Sequence, residues 1–167
     1  MMPPSLLATA RGALWLSADG EIERLSGADA GLRAAGMLPL VVHAPATAAR
    51  LGLDSLAARD LLELYAFVRP ASFCLPTPRG LAAALDITGD DELTLLPRIG
   101  NALIEALEDM APLASPEMKD TATAMARGNW AWGSEVLAAL GLDQTRNDKT
   151  ASKPRPNFRP GIGLDVW

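Results

Sequence analysis

The chain has 167 residues, of which 49% are hydrophobic and 21% charged, and its formal net charge at pH 7 is −5. That balance suits one globular domain and excludes wholesale disorder. A single cysteine, Cys74, and a single histidine, His43, exclude an internal disulfide, a four-thiolate zinc site, an iron–sulfur cluster built from this chain alone and most histidine-based metal sites.

The first residues, Met1-Met2-Pro3-Pro4, lack the basic and apolar runs of a signal peptide. No apolar stretch approaches the roughly 20 residues that span a bilayer. A cytoplasmic protein with no membrane partner is therefore expected. Charge is uneven along the chain. Residues 143–167 hold five basic and three acidic side chains, a net of +2, so the preceding 142 residues carry −7. Binding to phosphate backbones is driven by Lys and Arg, so contact with nucleic acid would need a local patch on this acidic body.

In chain order, Ala13-Leu14-Trp15-Leu16 and Glu21–Leu25 flank Asp19-Gly20, a hairpin signal that predicts two antiparallel strands. Ser26 to Gly36 reads as a short helix with Leu32 and Ala35 inward. Met37 to His43 is apolar on both faces and predicts a central buried strand. A helix follows from Pro45 or Ala46 to Gly52. Asp60 is placed to N-cap a helix over Leu61–Val68, which Pro70 stops. Thr77-Pro78 caps the next helix, to Leu85. Leu96, Ile99, Leu103, Leu107 and Met110 recur every three or four residues and define a long helix over 92–110, with Pro97 in its first turns. Further helices are expected at about 117–127 and 134–140. From Asp143 to Pro160 apolar residues nearly vanish and Pro154, Pro156 and Pro160 appear, the composition of an extended linker. The expected fold class is α/β, mainly helical with a small sheet. It comprises residues 1–142, followed by a linker over 143–167.

Few residues carry recognisable chemistry. No Gly-Lys pair is present and all three lysines lie at Lys119 or later, so there is no phosphate-binding loop. No Gly-x-Ser-x-Gly elbow accompanies His43. Cys74, between Phe73 and Leu75, is expected to pack as an apolar thiol. Asp19 and Glu21, spaced i, i+2, would point to one side of a strand and could grip a divalent ion. The hairpin signal instead makes Asp19 a turn residue. A metal-dependent 3′–5′ exonuclease would need further carboxylates, for which Asp54 and Asp60 are the candidates. Trp130 and Trp132 form a Trp-x-Trp that could anchor a partner on a free-standing interaction module, or else close the core.

Leu40-Val41-Val42-His43-Ala44-Pro45-Ala46-Thr47, followed by Asp60-Leu61-Leu62-Glu63-Leu64, resembles the DEDD exonuclease fold of proofreading domains, a ribonuclease-H-like architecture. That family pattern places Asn after the His and a metal-binding Asp four residues after it. Here Ala44 and Thr47 stand at those positions. The stretch Arg98 to Asp109 lacks the His or Tyr that precedes the family's last catalytic Asp. The resemblance thus implies a degenerate member without catalytic or metal-binding residues. Asp60 to Leu85, with Phe-Val-Arg-Pro-Ala-Ser-Phe-Cys-Leu-Pro-Thr-Pro-Arg-Gly at its centre, resembles the N-terminal region of bacterial ATP-dependent DNA helicases related to DinG and XPD. These carry a degenerate exonuclease-like domain in front of the motor. That resemblance implies a non-catalytic accessory domain in DNA repair or replication, partnered by the helicase motor of the same polypeptide, with DNA as a further candidate partner. ATP and magnesium would belong to that motor, with no cofactor in this chain. Arg69 and Arg79, flanking the proline-rich loop, are with Trp130 and Trp132 the candidate contact residues.

Overall fold

The computed structural model describes residues 3–142; the expected linker over 143–167 lies outside the described residues. The fold is α/β, with a mixed five-stranded open sheet in the order β3-β2-β1-β4-β5. Strands β1 (Ser5–Thr9), β2 (Gly12–Leu16) and β3 (Ile22–Leu25) form an antiparallel meander. Helix α1 (Gly27–Met37) crosses over to β4 (Leu40–Val41), which runs parallel to β1. Helix α2 (Ala44–Leu51) then leads to β5 (Arg59–Asp60), parallel to β4. The rest is helical: α3 (Leu61–Val68), α4 (Pro78–Ala84), α5 (Glu92–Met110), α6 (Pro116–Arg127) and α7 (Gly133–Ala139). Among the described residues, no helix is long and apolar enough to cross a membrane.

The three central strands β2, β1 and β4 are covered on both faces, because they carry apolar residues on both. Leu6, Ala13, Trp15 and Val41 pack with Ala30 of α1 on one side. Leu7, Leu14, Leu16 and Leu40 turn the other way, onto the larger core built around α5. Adjacent residues of one strand thus serve opposite layers, as the period-two geometry of a strand requires. Helix α5 forms the centre of the larger layer: Leu96, Ile99, Leu103 and Leu107, the predicted stripe, are fully buried against α3, α4 and α7.

One strand has no counterpart among the expected elements, and three expectations are corrected. Strand β1 was not anticipated, since Ser5-Leu6-Leu7-Ala8-Thr9 has little β-branched content and turns through Ala10-Arg11 rather than a Gly or Asn pair. Its stability comes from neighbours on both sides. The turn works because Gly12 takes φ +132°, and a Cβ there would lie 2.3 Å from the Leu25 carbonyl oxygen. The hairpin at Asp19-Gly20 is present, but its loop is five residues, Ser17 to Glu21, and of the Asp-Gly pair only Gly20 adopts positive φ. The expected strand from Met37 to His43 shrinks to Leu40–Val41: Met37 ends α1, Leu38 caps it in the left-handed region, and His43 becomes the N-cap of α2. Helix α1 buries Ala30 and Ala34, not Leu32 and Ala35; Leu32 is 78% exposed. Its inner face is made of small residues because it lies close to α2. A Cβ on Gly27 would fall 2.5 Å from the Leu51 carbonyl oxygen, and one on Gly31 would meet Leu53. A leucine on that face has no room.

Candidate functional site

In open α/β sheets ligands bind beyond the carboxyl ends of the parallel strands. At that end of β1 and β4 lies a cleft of about 320 Å³. Thr9 ends β1, while Val42, His43 and Thr47 carry the chain from β4 into α2. Arg50, one turn on, lines the same wall. Thr77 and Pro78, at the start of α4, and Glu92, at the start of α5, close the opposite side.

The cleft lies beside a junction organised by Asp60. This residue is 2% exposed, and its carboxylate accepts three backbone hydrogen bonds. Oδ1 takes the N–H groups of Leu62 (2.9 Å) and Glu63 (3.1 Å), the N-cap of α3 expected from the sequence. Oδ2 takes the Ala44 N–H at 2.7 Å, in the first turn of α2. One buried charge therefore serves two helix N-termini, where the aligned peptide dipoles favour an anion. The Asp60 carbonyl oxygen accepts the Trp132 indole N–H at 2.8 Å, and Arg59 pairs with Glu135 at 2.7 Å, so β5 is fastened to α7. With its oxygens occupied in this way, Asp60 is a structural carboxylate. Thr47 likewise uses its hydroxyl hydrogen within α2, donating to the His43 carbonyl at 2.9 Å.

The donor set does not fit a two-metal centre, which needs several carboxylates facing one space. Glu92 is the carboxylate lining the cleft, and Arg79 Nε lies 3.2 Å from its Oε1. Asp19 and Glu21 sit on the β2–β3 loop, at the amino end of β1. They are a strand length away from the cleft, about 13 Å for five residues. The Ser17 hydroxyl donates to the Asp19 carboxylate and holds its pKa below the ordinary carboxylate value. Asp54 is exposed between α2 and β5. Among the described residues no three of His, Cys, Asp and Glu gather as a metal site.

The remaining candidates are scattered around α3 and the loop after it. Arg69 is the exposed C-cap of α3. Arg79 is exposed but engaged, with Glu92 and with the Asp90 carbonyl oxygen at 2.9 Å. Trp130 is half-buried: its indole N–H donates to Glu63 Oε2 at 3.0 Å and its ring lies 5.5 Å from that of Phe67. Trp132 is 3% exposed and belongs to the core, the second of the two expected readings of Trp-x-Trp, and Trp130 packs half-buried at its edge: alternate residues here face a surface ledge and the interior. Cys74 packs against the core as expected, and burial pushes its thiol pKa up.

The sequence reading missed Thr9, Arg50, Thr77 and Glu92, which only the sheet order brings together. It also missed Phe73, which is 84% exposed. The signal available for Phe73 was its place in a loop bounded by Pro70 and Pro76, with no helical or strand period to bury it. Comparison with protein-family models, curated proteins and solved structures gives no match for this chain.

Proposed function

We propose that this chain is a non-catalytic accessory domain of an ATP-dependent DNA helicase, a degenerate ribonuclease-H-like exonuclease fold that contacts DNA or a partner. The observation carrying the reading is the composition of the cleft. It lies where an α/β sheet binds ligands, yet Thr47 on its wall stands where the exonuclease pattern has Asp, and Glu92 is tied to Arg79. An antiparallel meander followed by two parallel strands, each reached through a helix, supports the exonuclease-like ancestry. The segment from Asp60 to Leu85 supports the helicase assignment by its resemblance to DinG-related proteins. On this reading the motor of the same polypeptide binds ATP and magnesium, and the protein works in the cytoplasm.

Strand unwinding by a helicase carrying this domain, with and without residues 1–142, tests the proposal. Loss of unwinding rate or of DNA affinity on deletion is expected; identical activity, affinity and stability would refute it. Incubating the chain with manganese and a labelled single strand tests catalysis separately. Nucleotide release at micromolar protein, abolished by Asp19→Asn or Glu21→Gln, would replace the reading with that of a residual 3′–5′ exonuclease.

A further inference from the structure

We infer that the loop from Arg69 to Thr77, together with the adjoining wall of the cleft, is a contact site for single-stranded nucleic acid: Phe73 stacks on a base, and Arg69 and Arg50 hold phosphates. The inference rests on the proposed DNA contact and gives it a location. Phe73, 84% exposed with Leu75 59% exposed two residues on, is the one aromatic ring among the exposed large apolar side chains of the described residues. The loop is also held in place. The Ser72 N–H donates to the Arg69 carbonyl at 3.1 Å and the Thr77 N–H to the Leu75 carbonyl at 2.8 Å. Cys74 packs on the core, and Leu75 lies so close to α4 that a Cβ on Gly80 would be 2.5 Å from it. Phe73 is thus presented outward by an ordered turn, which lowers the entropy lost on stacking.

Charge selects the ligand. The body is acidic overall, but between Glu63 and Asp86 the chain has no carboxylate and two exposed arginines. Glu63 is occupied by the Trp130 indole and Glu92 by Arg79, while Arg69 and Arg50 form no ion pair among the described residues. Pro76, Thr77 and Pro78 continue the loop into the cleft wall, facing His43, Thr47 and Arg50. A cationic and hydroxyl-lined track ending on an exposed ring is the arrangement that binds single strands without reading sequence.

Fluorescence anisotropy of a labelled dT20 with the 167-residue chain at 20 mM salt tests the site. Phe73→Ala is expected to weaken binding about 5- to 150-fold, the range of one base–aromatic stack. Arg50→Ala combined with Arg69→Ala is expected to flatten the salt dependence by about 1.4 log units of affinity per log unit of salt, the effect of two phosphate contacts. Leu113→Ala, an exposed apolar change elsewhere, is expected to leave binding unchanged, and thermal melts confirm that each variant folds. Binding that none of the loop variants alters would overturn the location while leaving the accessory reading intact. No binding at 20 mM salt would overturn both the site and the DNA contact, leaving the unwinding assay to judge the accessory role. A Phe73-dependent association with the helicase motor, without any effect on dT20, would overturn the inference in favour of a protein-docking loop.

Discussion

Replacing Asp60 removes one side chain from two helix ends at once. In Asp60→Ala the Leu62 N–H keeps a partner, because it also donates to the Val42 carbonyl oxygen at 3.0 Å. The Glu63 N–H lies on the exposed side of α3 and can turn to water. The loss there is that of an N-cap, about 1 kcal/mol. The Ala44 N–H has no such alternative: it sits half-buried 2.7 Å from Oδ2, and leaving it unpaired costs about 1–3 kcal/mol. Together the change amounts to about 2–4 kcal/mol, a large share of a domain's stability. Asp60→Asn keeps one oxygen, sufficient to cap α3, but turns an NH2 group toward the Ala44 N–H, for a loss of about 1–3 kcal/mol. Urea unfolding of the two variants and the parent, with midpoints and slopes fitted together, measures both. A loss under 1 kcal/mol for Asp60→Ala would refute the account of a carboxylate shared by α2 and α3.

Trp132→Ala removes a ring buried in the main core and the indole N–H on the Asp60 carbonyl; a loss of about 3–5 kcal/mol in denaturant unfolding is expected, and near-parental stability would place the ring outside the core. On α1, Leu32→Lys is expected to stay within about 0.5 kcal/mol of the parent, while Ala34→Leu loses about 1–3 kcal/mol by overpacking; the reverse order in thermal melts would mean the helix is turned the other way. The Asp19 carboxyl, through the Ser17 hydroxyl, and the Glu117 carboxyl, through its own backbone N–H in the first turn of α6 and Ser115, are both held below their ordinary values of 3.8 and 4.5. Folded pKa values that are depressed contribute stability above the unfolded pKa and lose it as pH falls through the folded one. NMR titration should therefore find both midpoints below those values, with the associated stability lost only below about pH 4.5; midpoints at or above them would contradict the hydrogen bonds.

Signals local to the chain were legible in the amino-acid sequence. Asp60 before Leu61 and Thr77 before Pro78 mark helix starts because a side-chain oxygen can reach an N–H two or three residues on, whatever lies elsewhere. Gly52 and Gly141 mark helix ends because they alone adopt positive φ cheaply there. The stripe from Leu96 to Leu107 follows from helical period alone. Tertiary structure decided what depends on residues far apart. Ser5–Thr9 becomes a strand because β2 and β4 flank it, and Arg59–Asp60 because β4 offers a free edge. Leu32 is excluded from the interior by the closeness of α1 to α2, a distance no periodicity encodes. The second task of Asp60, at Ala44, arises only when parallel β4 and β5 bring two helix N-termini together. The cleft is the same case: Thr9, His43, Arg50 and Glu92 line one cleft because the strand order and the helices packed on the sheet gather them there.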